Sequence, residues 1–504
     1  MKSTRTKIAM IALSCLALAA IAAFSGASSP LAITGGNGIA WQEAKPKYVF
    51  LFIGDGTSYP QLAITSAYLG ALEGKKEPIL LPMMKFPVAG SATTHDLTSF
   101  VTDSASAGTA LATGNKTNSG VLNMDGEKAK PFETIAEKLH KQKGWKIGIV
   151  TSVNVNHATP AAFFGHQPSR DNYYELSNEL IGSGFEFFAG GKLRDSRKGE
   201  FDRMDVYSAL KAKGYTVIMT AAEYRGLKGG KKKLAIFSDD KDFSDDTGTM
   251  HYEIDRPKMQ PNLADYVKTG IVALENNTGF FMMVEGGKID WACHANDAAT
   301  VVHDVLAFSD AVQAAVDFYN KHPKDTLIVV TGDHETGGMS FGFAGTGYDT
   351  RLDLLANQKV SFVEYDKQVA KFRTDKATFS DALASIEANF GISAKPERGG
   401  TGSSLPKLSD FELAQIRAAF EKSILPPKQR TLTEAEKLLY GTYEPLTVTV
   451  TRILNHKAGI GWTTYSHTGL PVPVFAMGPG QSRFAGYNGN IDVYRALKDL
   501  TDAK

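Results

Sequence analysis

The sequence has 504 residues, of which 43% are hydrophobic and 22% are charged, a composition typical of a globular protein with a large apolar core. Its 55 Lys and Arg residues balance 54 Asp and Glu residues, so the formal net charge is only +1. This balance gives no support to a protein that binds nucleic acid or anionic membranes.

Residues 1–29 resemble an export signal. Three basic residues precede an apolar run from Ile8 to Phe24, and small residues follow that run. We therefore expect cleavage between Ala22 and Ser29, no stable membrane insertion afterwards, and a periplasmic or secreted protein. A retained membrane anchor is the alternative, because the apolar run is close to the shortest helix that spans a bilayer. Lipidation of Cys15 is a weaker alternative, because the residues before it match a lipidation signal poorly.

A buried strand followed by a polar loop recurs along the chain from Tyr48. The first strand, Tyr48–Ile53, is apolar on both faces, as parallel strands covered on both sides are. It ends in Gly54-Asp55-Gly56, which places a carboxylate where ligands bind in open α/β sheets. Further strands are predicted at Trp145–Thr151, Phe280–Val284 and Thr326–Thr331, with weaker candidates at Phe185–Ala189, Tyr215–Met219, Leu234–Phe237 and Val472–Met477.

Helical patterns separate these strands, for example Phe132–Lys141 and Ala298–Tyr319. The alternation of strands and helices predicts an α/β fold with a large, mostly parallel central sheet and helices on both faces. Between residues 340 and 459 the strand patterns disappear, and charged amphipathic stretches such as Asp410–Glu421 and Thr433–Tyr440 replace them. We interpret this segment as an insertion that forms a cap or a subunit contact. Packing on its own domain is favoured over packing on a partner.

The predicted domain organisation has five parts. Residues 1–29 are the signal peptide, and residues 30–46 are a polar linker. The α/β core runs from 47 to 339 and is completed by 460–504, with the insertion at 340–459 between them. Both flanks are assigned to the core because strand patterns occur on both sides of the insertion.

Ser104 lies in a run of small residues, Thr102-Asp103-Ser104-Ala105-Ser106-Ala107, that is typical of the start of a helix. At a helix N-terminus, free amide groups and the helix dipole stabilise an alkoxide or a phosphate group. No Gly-x-Ser-x-Gly elbow surrounds this serine, so a metal ion is a better candidate activator than a single histidine base. Taken alone, the run is more typical of an ordinary helix-capping serine. The ligand pattern elsewhere in the chain favours a nucleophile.

Carboxylate and imidazole side chains follow several of the predicted strands. Asp55, Glu285 and Asp333 end buried strands, where an unpaired carboxylate is costly to desolvate. Asp290 and His294 are four residues apart and share one face if their segment is helical. The full set of candidate ligands is Asp55, Glu285, Asp290, His294, Asp333, His334 and His467. Mixed carboxylate and imidazole ligands suit a pair of zinc ions, and an oxygen-rich subset suits a harder ion such as magnesium.

Six motifs make the sequence similar to bacterial alkaline phosphatases from about Tyr48 to Gly480, apart from the insertion. In chain order they are Phe52-Ile53-Gly54-Asp55-Gly56, Thr102-Asp103-Ser104-Ala105, His157-Ala158-Thr159-Pro160, Glu285-Gly286-Gly287-Lys288-Ile289-Asp290 with His294, Gly332-Asp333-His334, and Ser466-His467-Thr468-Gly469. The resemblance implies an alkaline phosphatase-like fold and a homodimer. It also implies a phosphomonoester hydrolase with an alkaline pH optimum, which releases inorganic phosphate through a covalent phosphoserine intermediate.

The resemblance further implies that each subunit binds two Zn²⁺ ions and one Mg²⁺ ion. Ser104 matches the phosphorylated nucleophile, and Arg170 matches the arginine that clamps the phosphate. One zinc ion would be held by Asp290, His294 and His467. The second would be held by Asp55, Asp333 and His334, with Ser104 as its activated ligand. Asp55 would also bridge to the magnesium site, which is completed by Glu285 and Thr159.

Two positions differ from the best-known enterobacterial pattern of this family. His157 stands where that pattern has an aspartate beside the magnesium site, so we count it among the metal-site residues. Trp291 stands where that pattern has a lysine near the phosphate, so we count it among the substrate-binding residues. Both substitutions resemble other branches of the family, including marine bacterial forms. We expect magnesium affinity, phosphate affinity and turnover to differ accordingly.

A phosphodiesterase or a sulfatase of the same superfamily is the first alternative. The sulfatase signature Cys/Ser-x-Pro-x-Arg does not surround Ser104, and a diesterase usually lacks the third metal site that Thr159 and Glu285 imply. The second alternative is a non-catalytic binding protein for phosphate, which has no need of a serine opposite six or more metal ligands. We expect small phosphomonoesters as substrates and no specific binding of nucleic acids.

Overall fold

The structure is a computed structural model that describes residues 45–195, 205–230, 232–394 and 406–504. The predicted signal peptide at 1–29 lies outside the described residues, as do all but two residues of the predicted linker at 30–46. None of the helices in the described ranges is both long enough and apolar enough to cross a bilayer.

A ten-stranded sheet forms the centre of the described part of the chain. In spatial order its strands are β14 (Gly486–Gly489), β2 (Val88–Thr93), β13 (Val472–Met477), β8 (Thr326–Gly332), β1 (Tyr48–Gly54), β7 (Phe280–Glu285), β3 (Lys146–Asn154), β4 (Phe187–Gly191), β6 (Leu234–Ser238) and β5 (Thr216–Ile218). β13 is antiparallel to both of its neighbours, and the other neighbouring pairs are parallel. The prediction of a large, mostly parallel α/β sheet is therefore confirmed.

Helices cover both faces of this sheet, as predicted. Along β1, Val49, Leu51 and Ile53 pack into one apolar cluster, while Phe50 and Phe52 pack into another on the opposite face. The helices are α1 (Tyr59–Leu72), α2 (Ser104–Thr113), α3 (Ile135–Lys143), α4 (Ala158–Ala161), α5 (Tyr173–Ser183), α6 (Val206–Ala212), α7 (Ala221–Arg225), α8 (Leu263–Leu274), α9 (Lys288–His294), α10 (Ala298–Tyr319), α11 (Phe362–Asp375), α12 (Phe379–Phe390), α13 (Asp410–Ser423), α14 (Glu434–Tyr440), α15 (Pro445–Ala458) and α16 (Asn490–Thr501).

Two strands of the sheet, β2 and β14, carry little strand signal in the sequence. β2 reads Val-Ala-Gly-Ser-Ala-Thr and β14 reads Gly-Tyr-Asn-Gly, so small residues replace the β-branched and aromatic ones that favour strands. They form by pairing, since β2 lies between the apolar strand β13 and β14. β3 also extends to Asn154, three residues beyond its predicted end at Thr151.

The three central strands end at the same level of the sheet. β1 and β8 end in register at Gly54 and Gly332, and the residue before Gly54 is in register with Glu285 of β7. The next residues along β1 and β8 are Asp55 and Asp333. Three carboxylates therefore lie at one edge of three neighbouring strands, as the sequence pattern predicts.

Short antiparallel pairs join the segment after β8 to the chain that follows residue 459. β9 (Glu335–Thr336) pairs with β12 (His467–Thr468), and β10 (Ser340–Phe341) pairs with β11 (Ile460–Gly461). Between β10 and β11 the described residues form α11 to α15 and two 3₁₀ turns, and they add no strand to the central sheet. The pairing of β12 with β9 brings His467 next to the end of β8.

We predict that Phe280→Ala lowers stability strongly, because Phe280 of β7 is fully buried in an aromatic cluster. Its ring centroid lies 5.0 Å from that of Tyr48, 5.1 Å from that of Phe50 and 5.6 Å from that of Phe318. Removing a buried phenyl ring costs about 3–5 kcal/mol of unfolding free energy. Denaturant unfolding followed by circular dichroism should show a lower midpoint. Phe411→Ala is the control, since Phe411 is 72% exposed; equal shifts in the two variants would contradict this packing.

Candidate metal centre and nucleophile

Ser104 is the first residue of α2, and its side chain is buried. The helix begins here because the Asp103 carboxylate accepts a hydrogen bond from the Ser106 N–H at 3.0 Å. Only small or apolar side chains follow, so the whole of α2 is buried. Ser104 Oγ lies 3.1 Å from His334 Nε2. A helix N-terminus at this position favours negative charge near the serine.

One group of candidate ligands consists of Asp290, His294 and His467. The first two lie one turn apart on α9, and His294 Nε2 is 3.4 Å from Asp290 Oδ1. His467 of β12 completes the group, because its Nε2 lies 3.2 Å from His294 Nε2 and 3.7 Å from Asp290 Oδ1. The segment is helical, so Asp290 and His294 share one face of α9.

A second group consists of Asp55, Asp333 and His334, whose ligand atoms lie within 4.8 Å of one another. His334 Nε2 is 3.4 Å from a carboxylate oxygen of each aspartate, and the three side chains are buried. The two groups adjoin, since the rings of His334 and His467 stack with their centroids 3.6 Å apart. His334 also lies within 4.8 Å of the ligand atoms of Asp290 and His467.

The negative charge of the second group fits the binding of a cation. Both carboxylate oxygens of Asp55 are buried, and neither has a hydrogen-bond partner among the described residues. Burial and the neighbouring carboxylates, Asp333 first, raise the pKa of Asp55 well above its ordinary value. Burial and nearby carboxylates raise the pKa of Asp333 in the same way. Such a cluster is costly as free anions, and mixed carboxylate and imidazole donors suit Zn²⁺.

Backbone carbonyl groups orient two of the imidazole rings. His294 Nδ1 donates to Tyr465 O at 2.6 Å, and His467 Nδ1 donates to Thr102 O at 2.8 Å. Because a carbonyl oxygen can only accept, Nδ1 carries a proton in both rings, and Nε2 is directed at the other ligands. Contacts of this kind fix the orientation of metal-binding histidines.

Glu285 and Thr159 lie in the same carboxylate cluster. Glu285 is fully buried at the end of β7 and accepts a hydrogen bond from Thr151 Oγ1, but its Oε1 has no partner within the described ranges. Burial raises the pKa of Glu285 to about 7. Thr159 Oγ1 lies 3.5 Å from Asp333 Oδ2, which places the threonine beside the second ligand group.

Arg170 lies between Asp103 and His157. Its Nη1 donates to Asp103 Oδ2 at 2.9 Å, and its Nη2 lies 3.4 Å from His157 Nε2. Burial, together with the positive charges of Arg170 and Arg194, lowers the pKa of His157 to about 3, so the neutral ring can accept a hydrogen bond from Arg170. Trp291 packs edge-on against His157, with ring centroids 5.8 Å apart. Nε2 of His157 thus faces Arg170, while its buried Nδ1 has no partner in the described part of the chain.

Asp103 and Thr336 belong to the site, although they stand out only weakly in the sequence. Besides Arg170, the Asp103 carboxylate accepts from the Gly120 N–H at 2.9 Å. Burial opposes ionisation of Asp103, but Arg170 and these hydrogen bonds hold its pKa well below its ordinary value. Thr336 Oγ1 donates to Asp290 Oδ1 at 2.5 Å. In the sequence, Asp103 is marked only by its position beside Ser104, and Thr336 only by the polar run that follows β8.

Comparison with known proteins identifies relatives along most of the chain. A family model described as Alkaline phosphatase matches residues 46–184 and 180–502. Alkaline phosphatase 4 of Bacillus subtilis (strain 168) is 30% identical over 474 residues, which cover 90% of this chain and 90% of that protein.

Two solved structures extend this likeness to the fold. The alkaline phosphatase of Thermus thermophilus matches with a TM-score of 0.73 and 26% identity, over 95% of this chain and 96% of its own. The cold-active alkaline phosphatase of the psychrophile Shewanella sp. matches with a TM-score of 0.72 and 28% identity, over 90% of this chain and 99% of its own.

We predict that Zn²⁺ stabilises the metal-stripped protein and that His334→Ala reduces this effect, because His334 lies at the junction of the two ligand groups. An ion that binds only the folded state adds about 4 kcal/mol to the free energy of unfolding when its free concentration is 1,000 times its Kd. The rise in melting temperature on adding zinc measures this stabilisation. His95→Ala is the control, since His95 is exposed and belongs to neither group. An unchanged zinc-induced shift in His334→Ala would contradict the assignment.

Proposed function

The chain belongs to the alkaline phosphatase family of phosphatase enzymes, and we propose that it hydrolyses small phosphomonoesters through a phosphoserine formed on Ser104. The placement of this serine carries the proposal, since its Oγ lies 3.1 Å from His334 Nε2 at the junction of the two ligand groups. A buried serine at a helix N-terminus beside groups that fit cations is suited to attack on phosphorus. We expect an alkaline pH optimum, because the serine must lose its proton.

In the proposed reaction, Ser104 loses its proton to solvent and its Oγ attacks phosphorus. The ester P–O bond breaks, and the leaving alkoxide takes up a proton from water and departs as the alcohol. Water then attacks the phosphoserine, the bond from Ser104 Oγ to phosphorus breaks, and inorganic phosphate is released. Arg170 holds two phosphate oxygens with its planar guanidinium group, which Asp103 keeps in place. The first amide groups of α2 stabilise the negative charge of the phosphate.

We propose two Zn²⁺ ions and one Mg²⁺ ion per subunit. When bound, these ions supply the positive charge that stabilises the attacking and leaving oxygens. One zinc ion is assigned to Asp290, His294 and His467, the other to Asp55, Asp333 and His334, and magnesium to Asp55, Glu285 and Thr159. Both carboxylate oxygens of Asp55 and the Oε1 of Glu285 are buried without a hydrogen-bond partner among the described residues, which supports this assignment. His157 adjoins Arg170, and Trp291 packs against His157. Both are assigned to the border between the magnesium site and the phosphate site.

We also infer an exported homodimer in which residues 340–459 form an insertion in the catalytic core. The basic and then apolar pattern of residues 1–29 supports export to the periplasm or the medium. The resemblance to the family supports the dimer. The helical character of the described residues between β10 and β11 supports an insertion that divides the core into 47–339 and 460–504.

We predict that Ser104→Ala lowers the rate of phosphate release from an aryl phosphomonoester by at least about 10³-fold, because the nucleophile is lost. Release should be fastest at alkaline pH, should stop with a chelator, and should return with Zn²⁺ and Mg²⁺. Mass spectrometry of acid-quenched wild type should find phosphate on Ser104. Ser208→Ala is the control, since Ser208 lies in the first turn of another helix and is exposed.

The same assay separates the competing functions. Hydrolysis of aryl diesters or aryl sulfates in preference to the monoester would assign the protein to a neighbouring branch of the superfamily. Phosphate binding without turnover of any of these esters would indicate a binding protein. Wild-type activity in Ser104→Ala would contradict the role of this serine.

A further inference from the structure

Glu335 carries a fully buried carboxylate next to the candidate metal ligands, and the proposed reaction does not use it. Its Oε1 accepts hydrogen bonds from Gln61 Nε2 at 2.9 Å and from the Met339 N–H at 3.0 Å. Its Oε2 accepts from the Gly338 N–H at 3.1 Å and from the Thr468 hydroxyl. These four donors are neutral groups, so they offset the cost of burying the carboxylate without cancelling its charge.

The turn after Glu335 depends on Gly338. Its φ is +57°, and a Cβ atom at this position would lie 1.6 Å from Thr463 Oγ1. This close approach allows the N–H groups of residues 338 and 339 to fold back onto the Glu335 carboxylate. The carboxylate thus closes the turn that follows β9.

Gln61 links the Glu335 carboxylate to two further elements of the site. It lies in the first turn of α1, the helix after β1, and its Oε1 accepts from the Ser58 N–H at 2.9 Å. Its Nε2 donates to Glu335 and also lies 3.8 Å from Cys293 Sγ, one residue before His294 on α9. The carboxylate is therefore tied to the segments that follow β1 and β7 as well as to its own strand.

Thr468 connects Glu335 to the metal ligand His467. The two residues form β12, a strand so short that few backbone hydrogen bonds hold it. In the pairing of β12 with β9, Thr468 lies opposite Glu335 and His467 lies opposite Thr336. The hydrogen bond from Thr468 to Glu335 adds a side-chain anchor to this pair. The His467 ring itself is oriented by Thr102 O.

We propose that Glu335 is a positioning residue that holds His467 in its metal-binding place by anchoring Thr468. The inference rests on the proposed metal centre, but it concerns a carboxylate that is not itself a ligand. Second-layer partners of this kind typically change metal affinity by about 10–100-fold when they are removed.

Zinc affinity tests this role separately from activity. Metal-stripped full-length protein is titrated with Zn²⁺ in competition with a chromophoric chelator, which gives the Kd of each ion. Thr468→Val removes the hydroxyl with little change in shape. We expect this substitution to lower the affinity for one of the two zinc ions by about 10–100-fold. Thr468→Ser keeps the hydroxyl and should retain wild-type affinity. Glu335→Gln, a second variant, should also lower the affinity for that zinc ion.

Thr501→Val is the matched control, because the buried Thr501 hydroxyl donates to Leu497 O at 2.7 Å in α16 and does not contact Glu335. The visible absorption of Co²⁺ bound in place of zinc gives a second readout. It should change in Thr468→Val, where a ligand is displaced, and should match wild type in Thr468→Ser and Thr501→Val.

Each outcome decides a specific question. Loss of one zinc affinity in Thr468→Val, with recovery in Thr468→Ser, supports the proposal. Wild-type affinity in Thr468→Val and Glu335→Gln would overturn it and leave the proposed metal centre intact. An equal loss in Thr501→Val would also overturn it, since general destabilisation would then explain the effect. Absence of zinc binding in wild type would refute the proposed metal centre itself.

Discussion

Buried negative charge at the ends of three adjacent strands is the constraint on which the rest of this structure depends. Asp55, Glu285 and Asp333 lie together because β1, β7 and β8 end at the same level. Burial, together with repulsion by neighbouring carboxylates that include Asp290, raises the pKa of each carboxyl group. Burying these carboxylates as anions is energetically costly, and a bound cation would offset that cost. The arrangement that destabilises the metal-free protein therefore favours metal binding.

The segment that carries Ser104, the proposed nucleophile, contacts the same groups of candidate ligands. Thr102 O accepts a hydrogen bond from His467. The Asp103 carboxylate binds Arg170, and the Ser104 hydroxyl faces His334. One short stretch before α2 therefore fixes the serine relative to a ligand of each group and to the arginine. This shared framework gives the orientation that phosphoryl transfer requires.

Sequence alone could predict the features that depend on local pattern. α10 has the predicted bounds Ala298–Tyr319, and β1 is a strand because its side chains are apolar on both faces. The spacing of Asp290 and His294 likewise predicts their contact. β2 and β14 could not be predicted, since they exist through pairing rather than through their own residues.

Local sequence pattern could not predict contacts between distant parts of the chain. Asp103 binds Arg170, which lies 67 positions later in the sequence, and Glu335 binds Thr468, which lies 133 positions later. Neither pair has a sequence signature.

The most direct test of the proposed metal centre is anomalous scattering at the zinc edge from crystals grown with Zn²⁺. We predict two strong peaks, one between Asp290, His294 and His467 and the other between Asp55, Asp333 and His334. Zinc bound elsewhere, or no ordered zinc beside Ser104, would contradict it.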